Sequence, residues 1–240
     1  MIHIEKVGKR YGRQQVLQDI NLAIAPGESV AMIGPNGSGK TTLIKSILRL
    51  ALPEEGSIAV NGISIDDGCD YRKHIGYMPQ MSRLPEHMRV YQLFDMMKQA
   101  RQDKAKDELD EELYELFDIA SMSDKALGAL SGGMRQKVSA SLAFLFRPEI
   151  LVLDEPTAAL DPIANEALKS KIRKTRNEGR VVLITSHNLS DLEGLIDRVI
   201  YMMEGRIHFD LAVKDIEDRT NESSLDKMVV SLLESKNIKA

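Results

Sequence analysis

Apolar positions alternate with polar ones at Ile2 and Ile4, and again along 16–24 through Leu17, Ile20, Leu22 and Ile24. That period of two predicts strands with one buried face. Pro26-Gly27 ends the pattern as a turn. Residues 29–33 form a short buried strand that enters a glycine-rich loop, followed by a helix at about 41–48. Further strands are predicted at 57–60, 75–78, 150–153, 181–185 and 199–203. The runs at 150–153 and 181–185 are apolar throughout, as parallel strands covered on both faces require.

Between about 85 and 147 the period changes. Val90, Leu93, Phe94 and Met97 recur at helical spacing, and so do Leu109, Leu113, Leu116 and Phe117. The charged run 101–112 reads as a solvated connector and helix face. Asp161-Pro162 is a helix start, with Asp as cap and Pro at the first helical position. Beyond Phe209 the pattern predicts one weak amphipathic helix, at about 225–233. No internal repeat, low-complexity segment or long heptad run interrupts the chain.

Composition narrows the class. Of 240 residues, 43% are apolar and 28% charged, the balance of a soluble globular protein. The formal net charge of −4 and the lack of a basic run give no support to a nucleic-acid partner. Cys69 is the single cysteine, which rules out an intramolecular disulfide and fits a reducing compartment. The first six residues do not read as a signal peptide. The longest apolar runs fall well short of the roughly 20 residues that cross a bilayer, so work at a membrane would need a partner.

The candidate chemistry begins at Gly34-Pro35-Asn36-Gly37-Ser38-Gly39-Lys40-Thr41, a P-loop pattern between a predicted strand and a predicted helix. Its glycines let the backbone curl so that N–H groups converge on phosphates, and the helix start adds its dipole. Lys40 would reach the β- and γ-phosphates of ATP, and the Thr41 hydroxyl would take a place on Mg²⁺. A structural Gly-rich turn is the bland alternative, but the pattern arises by chance in only roughly 1% of chains this long. A second feature weighs against that alternative. The apolar run 150–153 delivers Asp154 and Glu155 to the C-terminal end of a buried strand, where ligands of open α/β sheets bind. Asp154 would hold Mg²⁺, and Glu155 would orient or deprotonate the attacking water.

Leu130-Ser131-Gly132-Gly133-Met134-Arg135-Gln136 resembles the signature of ABC ATPases. With the P-loop and the acidic pair, it makes the chain resemble an ABC-transporter nucleotide-binding subunit up to about residue 210. The resemblance implies an α/β fold: a P-loop NTPase core of mixed sheet with helices on both faces, an antiparallel β-subdomain and an α-helical subdomain. It places the ATPase domain at 1–210, with the helical part inserted at about 85–147 and a short helical extension at 211–240. It implies head-to-tail pairing with a second copy, in which Ser131, Gly132 and Gly133 bind the γ-phosphate held by the opposite P-loop, including Thr42. These three residues are expected to open a helix ending at Phe146, whose N–H groups form an anion site; alone, they read as a plain helix cap. By the same resemblance Tyr11 stacks on adenine, Gln80 senses Mg²⁺, His187 sits near the γ-phosphate, and 159–161 makes contacts across the dimer. An integral-membrane permease is implied as partner, receiving the surface from Gln80 to Leu93 that includes Arg83 and His87. That places the chain peripherally at the cytoplasmic side of the inner membrane.

Two other classes compete. Soluble ABC ATPases act on DNA, ribosomes or iron–sulfur assembly. The stretch between Gln80 and Leu130 is too short for the coiled coils of DNA-repair members, and a single P-loop argues against translation factors; the iron–sulfur type stays open. A non-catalytic scaffold would lose Glu155 or His187, and both are present. Within transporters, the strings 77–80, 84–88, 130–146 and 185–192 resemble the ATPase subunit of the Nos transporter, which supports copper-centre maturation of nitrous oxide reductase. A periplasmic accessory protein would then act through the permease. Drug, haem and polysaccharide exporters share much of this frame. The 12 methionines do not call for copper ligands here: Met96, Met97, Met202 and Met203 sit in apolar runs, where Met fills core gaps.

Overall fold

A computed structural model of the chain describes residues 1–80, 84–101 and 109–235. Arg83 and most of the charged connector 101–112 lie outside the described residues. β1 (Ile2–Tyr11) and β2 (Gln14–Ile24) pair antiparallel. Their alternation is broken where Lys6 and Asp19 adopt positive φ of 49° each. The register shifts there, which is why Val7 follows Ile4 by three positions and Ile20 follows Leu17 by three. Such bulges keep the apolar set on one face.

β3 (Ser29–Ile33) leads into the P-loop and α1 (Lys40–Ile47). β4 (Glu55–Val60) and β5 (Ile63–Ser64) complete a sheet of order β2-β1-β4-β5. The chain then enters the second sheet at β6 (Ile75–Met78) and leaves it for α2 (Val90–Ala100), α3 (Glu112–Leu116) and α4 (Gly132–Phe144). It returns through β7 (Ile150–Asp154), α5 (Pro162–Asn177), β8 (Val181–Thr185), β9 (Arg198–Met203) and β10 (Arg206–Ala212). Last come α6 (Val213–Thr220) and α7 (Leu225–Ser235). The second sheet has order β10-β9-β3-β8-β7-β6, parallel except where β10 meets β9.

The continuous apolar runs have a direct cause. Val30 and Met32 of β3 join one core with α1 and the antiparallel sheet, while Ala31 and Ile33 join the other, with the helices of the insert. In β7, Ile150 and Val152 face the first core, and Leu151 and Leu153 the second. A strand covered on both faces has no polar side to show.

Several expectations are corrected. The helix expected over Leu109 to Phe117 is only Glu112–Leu116; Phe117 is buried just past its end and Leu116 points outward. The helix opened by Ser131 stops at Phe144, not Phe146. Met96 is exposed rather than filling a core gap, whereas Met202 is fully buried. The tail holds two helices instead of one, α6 preceding the expected one.

Candidate functional site

β3 is buried along its whole length between β8 and β9. Its end delivers Gly34 at φ 145°, where a Cβ would lie 2.0 Å from the Met202 carbonyl oxygen; only glycine fits so close to backbone. α1 begins after Gly39 with no side-chain cap and no acid in its first turn. Its first N–H groups and positive dipole end are therefore offered to an anion. The Lys40 ammonium donates to the Gly34 carbonyl (2.7 Å), the Pro35 carbonyl (3.1 Å) and Ser38 Oγ (3.3 Å). Burial lowers its pKa, opposed by the charges of Glu155 and Asp154.

Facing the loop, β7 ends in Asp154, whose Oδ1 accepts from the Thr185 hydroxyl at 2.5 Å. Burial pushes the Asp154 carboxyl up; the Thr185 bond and Lys40 pull it back, and Glu155 adds to the rise. The Tyr77 phenol, half-buried and near Asp154, is raised to about 12, mainly by desolvation. Glu155 itself has φ 54°, a strained backbone for a non-glycine residue, costing about 1–3 kcal/mol. It is held there because its N–H donates to the Thr185 carbonyl (3.1 Å) and Oγ1 (3.2 Å), while its own carbonyl accepts from Gln136 Nε2 (3.3 Å). The Glu155 carboxylate is in polar contact with Nδ1 of the exposed His187.

These groups share a cavity of about 170 Å³: residues 36–42 form one wall, Gln80, Asp154, Glu155 and His187 the other, with Val16 also lining it. Gly34 and Pro35 do not line it. Tyr11 stands apart, half exposed at the end of β1 with the Lys9 ammonium 5.4 Å from its ring centre. Ser131, Gly132 and Gly133 are not brought to this cavity either. Ser131 caps α4, its Oγ accepting from Met134 N at 3.3 Å. A Cβ at Gly133 would fall 2.8 Å from the Ala159 carbonyl oxygen, and Lys137 pairs with Asp161 at 2.7 Å. The signature turn is thus packed on the loop that follows Glu155.

Sequence reasoning missed Val16, Gln136, Thr185 and Asp191. Thr185 had a signal, a polar residue closing an apolar strand; Asp191 had none. The donor set Thr41, Gln80 and Asp154 offers hard oxygen ligands. Among the described residues no cluster of three or more His, Cys, Asp or Glu could hold a metal alone. A cation here would complete its shell from phosphate and water, which suits Mg²⁺.

A P-loop at the end of a central parallel strand, faced by two acids at the end of β7 one strand beyond β8, defines a P-loop NTPase. A family profile described as "ABC transporter" matches residues 17–158. The chain belongs to the ABC transporter family, as an ATP-binding subunit, and it binds and hydrolyses ATP. It is 35% identical over 219 residues to the L-cystine transport system ATP-binding protein TcyN of Escherichia coli (strain K12), covering 86% of this chain and 88% of that one. The Nod factor export ATP-binding protein I of Burkholderia orbicola is 34% identical, over 85% of this chain and 68% of the relative. A solved ATP-binding subunit of an ABC transporter superposes with TM-score 0.89 at 30% identity, covering 97% of this chain and 99% of its own. A dimeric bacterial ABC transporter cassette gives 0.76 at 26%, over 89% and 99%. Cassettes of this family form dimers and pair with membrane permease domains. Among the described residues no helix is long and apolar enough to cross a membrane.

Proposed function

We propose that the 1–210 segment, with its insert at 85–147, is an ATPase that hydrolyses MgATP between two copies of the chain and drives a permease at the cytoplasmic side of the inner membrane. The observation that carries this reading is the convergence of 36–42, Gln80, Asp154, Glu155 and His187 on one cavity. Mg²⁺, held by Thr41, Asp154 and Gln80, would neutralise charge on the phosphates. Lys40 binds the β- and γ-phosphates, Glu155 orients and deprotonates the water, and His187 stays bonded to Glu155 beside the γ-phosphate. Tyr11, half exposed, stacks on adenine. Ser131, Gly132 and Gly133 are exposed or half exposed and lie outside their own chain's cavity, which supports their use by a second copy.

The permease surface is supported by a cleft between core and insert. An apolar groove of about 310 Å³, with Tyr77, Leu84, Leu93 and Phe146, shares Met97, Arg101 and Pro148 with a cleft of about 670 Å³ where Arg72, Lys73 and Arg147 outnumber Asp70 and Glu149. An amphipathic helix with acidic residues fits apolar floor and basic rim together.

The finer reading is the Nos-type transporter, acting with a periplasmic accessory protein through the permease. It rests on the strings 77–80, 84–88, 130–146 and 185–192; the relatives above carry L-cystine and Nod factor in their names. Competing readings are drug, haem and polysaccharide exporters and a soluble iron–sulfur assembly ATPase. A Glu155→Gln strain grown on nitrous oxide should accumulate reductase lacking its copper–sulfur centre with copper in excess. The purified subunit should carry no stoichiometric copper. Fully active reductase in that strain would remove the Nos reading and leave the ATPase reading standing.

A further inference from the structure

Helices α6 and α7 take no part in the chemistry above, yet α7 is seated on the turn that follows His187, and α6 packs against α7 and β10. β8 ends at Thr185, His187 follows two residues later, and a 3-10 turn comes next at Leu189–Leu192. That turn is held from two sides. On the core side, Asp191 Oδ2 accepts from the Thr157 hydroxyl (3.2 Å) and from Asn188 Nδ2 (3.0 Å), and Oδ1 accepts from the Lys169 ammonium (2.8 Å). Thr157 lies two residues after Glu155. One carboxylate therefore ties the segment after His187 to the segment after Glu155.

On the outer side α7 packs against the turn. Leu192 is buried in the same cluster as Leu225, Met228, Val229 and Leu232. Glu193, the residue directly after the turn, accepts through Oε1 from Leu225 N at 3.1 Å, so the turn caps the helix that covers it. An apolar stripe alone would suffice to cover a surface. The polar bonds on both sides instead fix the turn's register. His187 is exposed along most of its side chain, and Glu155 is the partner that it meets, so its backbone position decides whether the two groups touch. A displacement of about 1 Å at a reacting centre can cost roughly 10²-fold in rate.

We infer that α7, backed by α6, forms a clamp that positions His187 against Glu155 through the 189–193 turn, with Asp191 as the positioning residue on the core side, so that loosening α7 slows ATP turnover. The inference rests on the roles given above to His187 and Glu155. In the full chain, Glu193→Ala removes an exposed carboxylate that caps α7, and Leu232→Ala removes part of its buried face. Faster hydrogen exchange at 225–235 shows that α7 has loosened. Both variants should then lose roughly fivefold or more in kcat, with KM for ATP unchanged. Asp191→Asn should lower kcat while α7 keeps its protection, and Asp191→Glu should restore part of it. A loosened α7 with unaltered kcat, or a rise in KM alone, overturns the clamp. Should Leu232→Ala not fold, the surface variant Glu193→Ala decides. His187→Ala is the control: near-normal turnover there removes the role of His187, and the clamp with it. An inactive His187→Ala beside fully active α7 variants removes the clamp alone.

Discussion

His187 and Glu155 meet side chain to side chain although 31 positions of chain lie between them. Sheet register brings them together: β7 and β8 are parallel neighbours with Asp154 opposite Thr185, so both residues emerge from the same edge. A slip of β7 by one residue against β8 would turn β7 inside out, moving Leu151 and Leu153 to the wrong core. The buried apolar runs thus set the distance between two groups of the site.

Glu155→Gln keeps the side chain's shape and removes its basicity. Phosphate release should fall by about 10²–10⁴, the usual share of a general base. Nucleotide binding should survive, so MgATP should hold two copies together, visible as a dimer in gel filtration, most cleanly with the permease present. ATP-bound monomers alone would contradict the shared site.

Lys40→Ala removes the one lysine in the wall of the cavity formed by 36–42. Turnover should drop by at least about 10²-fold, as when a donor to developing transition-state charge is lost. The loop carbonyls of Gly34 and Pro35 lose their donor as well. Near-normal phosphate release from this variant would sink the phosphate-binding role of Lys40.

Gly133→Ala tests the signature turn apart from the P-loop. The new Cβ would press on the Ala159 carbonyl, 2.8 Å away, and backbone on both sides leaves α4 or the loop to move. Turnover should fall about tenfold or more, as a small misplacement at a shared site implies, while equilibrium ATP binding stays near wild type. Loss of binding instead would mean that Gly133 supports its own chain's cavity.

Cys69 is exposed and lines the basic cleft proposed for the permease. A maleimide should therefore label it in the isolated subunit and react far more slowly in the assembled transporter. A cysteine at His87 should cross-link to a cytoplasmic helix of the permease. Equal labelling of Cys69 in both states would place the docking surface elsewhere.

Much of this was legible because burial leaves a simple trace. β6 and β8 were read to the residue from apolar runs, and the Asp161 cap is present, its Oδ1 accepting from Ala164 N at 2.9 Å. Two hairpins were missed although their turns were written plainly: Asn61-Gly62 and Glu204-Gly205 all take positive φ, the geometry that tight hairpins demand. α6 left little to read, with Ile216 its single buried residue. The cavity's loop and acids were readable because each is local in sequence. Asp191 was not, since its partners Thr157 and Lys169 come from other segments.

The buried Lys171 gives the last test. Its ammonium donates to both oxygens of Asp110 (2.7 and 2.6 Å) and to Glu112 (2.8 Å), joining the helical insert to α5 of the core. Hydrogen bonds from Lys171 and then Lys174 hold the Glu112 carboxyl below its usual 4.5. A carboxylate depressed in the folded state adds stability above its unfolded pKa, and that stability is lost as pH falls through the lower folded value. Lys171→Met keeps the length of the side chain but leaves Asp110 without its cation. At neutral pH this should cost about 3 kcal/mol, the lower end for breaking a buried pair, because Glu112 is partly exposed and keeps Lys174. The wild-type Tm should therefore fall more steeply than the variant's between about pH 5 and 3, where protonation of Glu112 removes a bond to Lys171 that the variant never had. Thermal unfolding of both chains across that range measures the gap. Parallel Tm curves would show that the Lys171 cluster does not tie the insert to the core.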